Sequence, residues 1–183
     1  GGEYYYLGFS ADGYYGIVYS DGSEASFLTN DKNEWSPTSA VETFADSYAL
    51  EADCGSDGTL RLTVDGEVLA EVQDTRLTSG EMGLFAQSFD AVPVEVRFDD
   101  LEVTAADAPE ELFSDDFAEG GNWWTGSNAD HKIAYTDGRY VIDVYSPALI
   151  AWGNPDIDVS DVHLAVTVWN EAGTTEAGFG LIC

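Results

Sequence analysis

Leu60-Arg61-Leu62-Thr63-Val64-Asp65-Gly66-Glu67-Val68-Leu69-Ala70-Glu71-Val72 decides the fold class. Two β-prone runs flank an Asp-Gly pair, which suits a two-residue type I′ turn, so the segment predicts a β-hairpin. The same pattern recurs on both sides of it. Tyr4 to Phe9 and Tyr14 to Tyr19 flank the turn Ser10-Ala11-Asp12-Gly13. Asp21-Gly22 leads into Ala25 to Thr29, and 30–39 is a polar loop holding Trp35 and Pro37. Tyr48 to Cys54 alternates as a strand and turns at Gly55-Ser56-Asp57-Gly58. A turn over 78–81 precedes Met82 to Ala86, and Val92 to Val103 reads as one more strand. Further on, Leu112 to Phe117 precedes a polar loop over 120–130 with Trp123 and Trp124. Ile133 to Tyr135, Asp137-Gly138 and Tyr140 to Tyr145 form a second Asp-Gly hairpin. Leu149 to Trp152, Leu164 to Trp169 and Phe179 to Cys183 are further strands, with a turn over 171–176. No segment has the period of an amphipathic helix. Many short strands punctuated by turns predict an all-β sandwich or jelly roll of two antiparallel sheets.

One strand carries an internal conflict. Val94, Val96 and Phe98 share one parity, whereas Leu101 and Val103 share the other. A side-chain period of two cannot change face without an extra residue, so a bulge is expected at Asp99-Asp100. Adjacent residues in extended chain point opposite ways, so one of Trp123 and Trp124 is expected buried and the other exposed. Trp169, in a strand, is expected in the core.

Composition narrows the partners. Six Lys and Arg face 35 Asp and Glu, for a formal net charge of −29. Nucleic acid needs cationic groups to displace its counterions, so it is excluded as a partner, and anionic membrane surfaces are disfavoured. Such a surface serves solubility and also attracts cations, Ca²⁺ among them. No run reaches the roughly 18 apolar residues of a membrane-spanning helix. Residue 1 is Gly rather than Met, which reads as a processed chain or a piece of one. Two cysteines, few lysines and abundant Tyr and Trp point to an extracellular or cell-surface setting.

The chain opens within a β-prone run at 1–9 and stops within another at 178–183. Each of these strands is expected to need a partner. Residues 105–111 are small, polar and Pro-containing and read as a linker. They divide the chain into blocks 1–104 and 112–183.

The second block resembles the opening of concanavalin A-like (laminin G/laminarinase-type) jelly-roll domains. It has Asp115-Asp116-Phe117, a Trp-bearing loop, Gly138-Arg139-Tyr140 and Gly178-Phe179-Gly180. The first block resembles the remainder of such a domain. It has Ser10 to Gly16, Leu62 to Gly66, and Val96-Arg97-Phe98-Asp99-Asp100-Leu101-Glu102-Val103. Placed as 112–183 followed by 1–104, the two read as one jelly roll with its halves in swapped order. A circular permutant, a polymer unit completed by its neighbour, and one period cut from a tandem array all fit that order.

In the reassembled domain Cys54 and Cys183 belong to one jelly roll, so a disulfide between them is expected, against the alternative of two buried thiols. Asp115 and Asp116 open that domain and Asp99 and Asp100 close it. First and last strands lie side by side in this fold, so the four carboxylates are candidate ligands for Ca²⁺, against a reading as solvated edge charges. Modules of this fold stack exposed aromatics on sugar rings. Trp35, Trp123, Trp124, Trp152, Tyr14 and Tyr15 are therefore the candidate carbohydrate-binding residues.

Catalysis is not expected. The Glu-Xaa-Asp-Xaa-Xaa-Glu arrangement of related glycosidases is missing, and Glu95-Val96-Arg97-Phe98-Asp99 reads as the solvent face of a strand. His131 and His163 lack partners at zinc-ligand spacing. Two functions are expected. One is a non-catalytic extracellular structural repeat, assembling head-to-tail with copies of itself or adjacent repeats into a filament or adhesin-type array. The other is a carbohydrate-binding module that takes a polysaccharide.

Overall fold

The computed structural model describes residues 2–106, 110–171 and 176–183. Among them every regular element is a strand. The first block supplies β1 (Tyr4–Ser10), β2 (Tyr14–Ser20), β3 (Ala25–Phe27), β4 (Ser36–Pro37), β5 (Tyr48–Cys54), β6 (Thr59–Val64), β7 (Glu67–Gln73), β8 (Gly80–Glu81), β9 (Gly83–Gln87) and β10 (Val94–Ala105). The second supplies β11 (Glu111–Asp115), β12 (Gly126–Ser127), β13 (His131–Thr136), β14 (Arg139–Val144), β15 (Ile150–Gly153), β16 (Asp158–Val159), β17 (Val162–Asn170) and β18 (Gly178–Ile182).

Two large antiparallel sheets face each other, an architecture compatible with a jelly-roll sandwich. The first runs β15-β9-β18-β1-β2-β3, with β4 also on β2. The second runs β12-β13-β14-β10-β17-β5-β6-β7, with β11 on β10. Both blocks build both sheets. β18 lies between β1 and β9, and β17 lies between β10 and β5. The two terminal strands pair with each other, Tyr6 opposite Ile182 and Phe9 opposite Phe179. Tyr5 and Cys183 exchange backbone hydrogen bonds of 2.8 and 3.1 Å. The partner that each terminal strand requires is thus the other, within one chain. Of residues 105–111, expected as a linker, Ala105 ends β10 and Glu111 opens β11, two strands that pair with each other. Residues 107–109 lie outside the described residues, as do 172–175 of the turn expected over 171–176.

Alternation sets the core. Leu7, Phe9, Ile17, Leu84 and Leu181 of the first sheet meet Leu50, Leu62, Val96, Phe98 and Val166 of the second in one buried cluster. Each such side chain contributes about 1.5–3 kcal/mol on leaving water. Phe9, Tyr48 and Phe179 form an aromatic triangle with centroids 5.1, 6.1 and 5.7 Å apart. It ties β1, β5 and β18 together across both sheets and both blocks.

Local expectations are met at the turns. Asp65 and Gly66 have φ of 51° and 81°, and Asp137 and Gly138 have 53° and 74°, as a type I′ hairpin requires. The bulge stands where the parity switch placed it. The register of β10 against β17 shifts between Asp99 and Glu102, and Asp100 has φ 51°. Two expectations are corrected. Residues 36–37, within the expected loop, pair with β2. Trp169 is not a core residue: Val162, Leu164, Val166 and Val168 hold the inward parity of β17, so Trp169 faces out and Arg139 covers its ring at 3.8 Å.

Cys54 and Cys183 form a disulfide with Cα atoms 6.5 Å apart. It links the end of β5 in one sheet to the residue after β18 in the other, across a sequence separation of 129. A loop of that length corresponds to roughly 4–5 kcal/mol in chain-entropy models. The bond suits a non-reducing setting. No helix among the described residues is long and apolar enough to cross a membrane.

Candidate functional site

The outer face of the first sheet is where the aromatic residues gather. Gly16, Gly8, Gly180, Phe85 and Trp152 stand opposite one another across β2, β1, β18, β9 and β15. The next row holds Val18, Tyr6 and Ile182. Tyr6, Val18, Phe85 and Ile182 form a second apolar cluster, separate from the core between the sheets. The glycines give the rings a floor. A Cβ at Gly8 would come within 2.7 Å of the Phe85 ring and 2.9 Å of the Trp35 indole. Trp35 lies half-buried over this floor, edge-on to Phe27 and Phe89 with centroids 5.9 and 5.8 Å away. Burial pushes the Tyr6 phenol up to about 12, so it stays neutral.

At the edge of this face two indoles stand open. Trp152 is 45% exposed and Trp124 is 48% exposed. Trp152 projects outward because its neighbours Ala151 and Gly153 take the inward parity of β15. Its ring leans on Tyr4 at 6.4 Å and 36°. Trp124 is held from below. Its N–H donates to the Asn154 carbonyl at 2.9 Å, and its carbonyl accepts from the Tyr140 hydroxyl at 2.6 Å. Burial raises the Tyr140 phenol far above its ordinary value, which keeps that donor protonated. A Cβ at Gly126 would come within 2.5 Å of the Trp124 ring, so only glycine lets the indole lie there. Both rings are therefore exposed and positioned, and a ligand meets them at little entropic cost.

Trp152 and Asn154 separate two grooves. One, of about 330 Å³, is lined by Glu3, Tyr4, Glu81 and Met82 besides those two. The other, of about 300 Å³, is lined by Trp124, His131 and Ile150 besides them. The Asn154 amide donates to Glu81 Oε2, and the Tyr19 hydroxyl donates to Glu3 Oε1, which fixes both carboxylates. Apolar rings beside a few convergent polar groups are the usual make-up of a small-ligand site.

The expected sugar-binding residues divide. Trp124 and Trp152 share the edge, and Trp35 and the exposed Tyr14 lie on the same face of the first sheet. Trp123 does not qualify as a platform. It is 4% exposed, its Nε1 donates to Asp115 Oδ2 at 3.1 Å, and its ring packs on Phe117 and Tyr140. Tyr15 packs against the main core instead. Residue parity settled Trp123 against Trp124 in kind, though not which was which. Sequence reasoning did not place Tyr4, Glu3, Glu81 or His131 here: the pairing of β9 with β15 and β18 brings the first three to Trp152, and β13 of the second sheet brings His131.

The four aspartates part company at the bulge. Asp100, Asp115 and Asp116 line one open groove, whereas Asp99 faces Arg139 at 3.5 Å. Asp115 accepts from the Phe117 N–H and the Trp123 indole, and Asp116 from the Ala118 N–H. Among the described residues no group of three or more His, Cys, Asp or Glu is placed to hold a metal ion.

No protein-family model matches this chain, and no curated protein matches it in sequence.

Proposed function

We propose that this chain is a non-catalytic carbohydrate-binding module of a secreted or surface protein, built on a concanavalin A-like jelly roll with its halves in swapped order. The observation that carries it is the pair of exposed but anchored indoles, Trp124 and Trp152, on the rims of two adjoining grooves. A sugar ring presents a C–H face to an indole and hydroxyls to groups such as Asn154, Glu81 and His131. Both kinds of contact are on offer here around the exposed edge at β15. A head-to-tail repeat was motivated by terminal strands in need of partners. Within one chain β1 and β18 supply each other, so that motive is met without a neighbour.

Titration calorimetry against oligosaccharides of differing sugar and linkage tests the proposal. Binding of at least one is expected, with Trp152→Ala and Trp124→Ala each weakening it about tenfold, or ~1.4 kcal/mol. Binding that survives both substitutions would move the site elsewhere.

A further inference from the structure

The groove between Tyr4 and Trp152 has a chemistry that its neighbour lacks. Its walls are two aromatic rings 6.4 Å apart, and its charged lining is Glu3 and Glu81. Among the described residues no Lys, Arg or His lines it. Arg76, the cation beside this region, lies 3.7 Å over the Tyr19 ring and is paired with Asp74. Each groove carboxylate is held through one oxygen, Glu3 by the Tyr19 hydroxyl and Glu81 by the Asn154 amide. Aromatic faces attract a cation through their quadrupole, and carboxylates at the rim attract it by charge. A neutral sugar uses the rings and the amide and meets the carboxylates through hydroxyl hydrogen bonds alone, without the charge attraction. A sugar bearing an ammonium group uses all of them.

We infer that this groove selects saccharides carrying a free, protonated amine, such as glucosamine units, over their neutral and N-acetylated counterparts. The inference rests on the carbohydrate-binding proposal and refines it. The ammonium sits against the paired Tyr4 and Trp152 rings and meets the Glu3 and Glu81 carboxylates. The sugar's C–H face lies on Trp152, and the chain of sugars continues past Asn154 towards Trp124. The net charge of −29 works in the same direction but cannot by itself distinguish one site from another, so the test separates the two.

The experiment titrates the full chain with three tetrasaccharides: β-1,4-linked glucosamine, the same chain N-acetylated, and the corresponding glucose tetramer. Glu81→Gln, Glu3→Gln and the remote control Glu42→Gln are titrated in parallel, each checked for an unchanged thermal midpoint. The glucosamine tetramer is expected to bind about tenfold tighter than either neutral chain, with the preference shrinking as salt rises. Glu81→Gln and Glu3→Gln reduce the preference to within about threefold, and Glu42→Gln changes nothing. Equal binding of all three tetramers, lost in Trp152→Ala, overturns the amine preference and leaves the carbohydrate proposal standing. An amine preference that survives both groove substitutions traces to overall charge and overturns the site. Binding of no tetramer overturns the inference, and the proposal beneath it is then decided by the wider set of sugars and linkages.

Discussion

Asp74 shows how a single residue serves this fold. Its carboxylate accepts from the Tyr5 hydroxyl at 2.7 Å and from the Arg76 backbone N–H at 3.0 Å, besides the Arg76 guanidinium. The Arg76 hydrogen bonds hold it well below the usual carboxylate range, while burial and Asp74 push the Tyr5 phenol up to about 12. A carboxyl depressed by folding contributes stability above its unfolded pKa of about 3.9, and that contribution is lost as pH falls through the lower folded value. The stability gap between the native chain and Asp74→Asn is therefore expected to hold steady from neutral pH to about pH 5 and to close below about pH 4. Comparing the two chains by urea unfolding across pH 2–7 isolates this from relief of repulsion among the other acids. Trp123 and Trp124 give a second residue-scale expectation. Trp123→Ala costs about 3–5 kcal/mol, as for other buried aromatics, whereas Trp124→Ala costs well under 1 kcal/mol. Parallel denaturant melts read the contrast, and equal losses would contradict the burial assigned to each. The parity of adjacent residues was legible in the sequence. That Trp169 faces outward was also encoded, in the inward set Val162, Leu164, Val166 and Val168, but its cover is Arg139, a residue remote in sequence.

Among elements, those whose signal is local were the legible ones. Asp65-Gly66 and Asp137-Gly138 are read from two residues, and the bulge at Asp99-Asp100 from five. The two-residue strands β4, β8, β12 and β16 have no period to read, and they exist because longer strands elsewhere hold their partners in place. The aromatic edge was illegible for the same reason. Trp152 reaches Tyr4 only because β9 and β18 alone separate β15 from β1, a long-range result that no spacing within 150–153 announces. Gly66, at φ 81°, tests the hairpin on which the fold class was read. Gly66→Ala is expected to cost about 1–2 kcal/mol, because a Cβ disfavours the left-handed region. A chemical-denaturation midpoint unchanged by the substitution would contradict the assigned turn. The paired β10 and β11 likewise make an Asp115→Asn change structural. It weakens the bonds from Phe117 and Trp123, and the melting temperature should fall whether or not Ca²⁺ is present.

For the molecule as a whole, the closure of both sheets within one chain accounts for the apolar runs at 4–9 and 178–182. They are neighbours, Tyr6 opposite Ile182, with the disulfide clamping the same corner across the two sheets. Reduction, or the paired change of Cys54 and Cys183 to Ser, is expected to lower stability by a few kcal/mol while the chain still folds. Electrophoresis without reductant is expected to give a single species at 19.7 kDa, whereas a ladder would restore the head-to-tail repeat. The jelly-roll resemblance indicated two sheets assembled from both blocks, and those two sheets are what form. The resemblance did not indicate which aromatics remain open, since that depends on the glycine floor and the edge position of β15. The most direct test of the proposed carbohydrate face uses the five tryptophans as reporters, through their indole N–H resonances in ¹⁵N-labelled protein. Titration with a binding oligosaccharide should move the Trp124 and Trp152 signals together, saturably, and leave Trp123 and Trp169 in place. A saturable shift confined to Trp169, or none at Trp124 and Trp152 under any sugar, would contradict it.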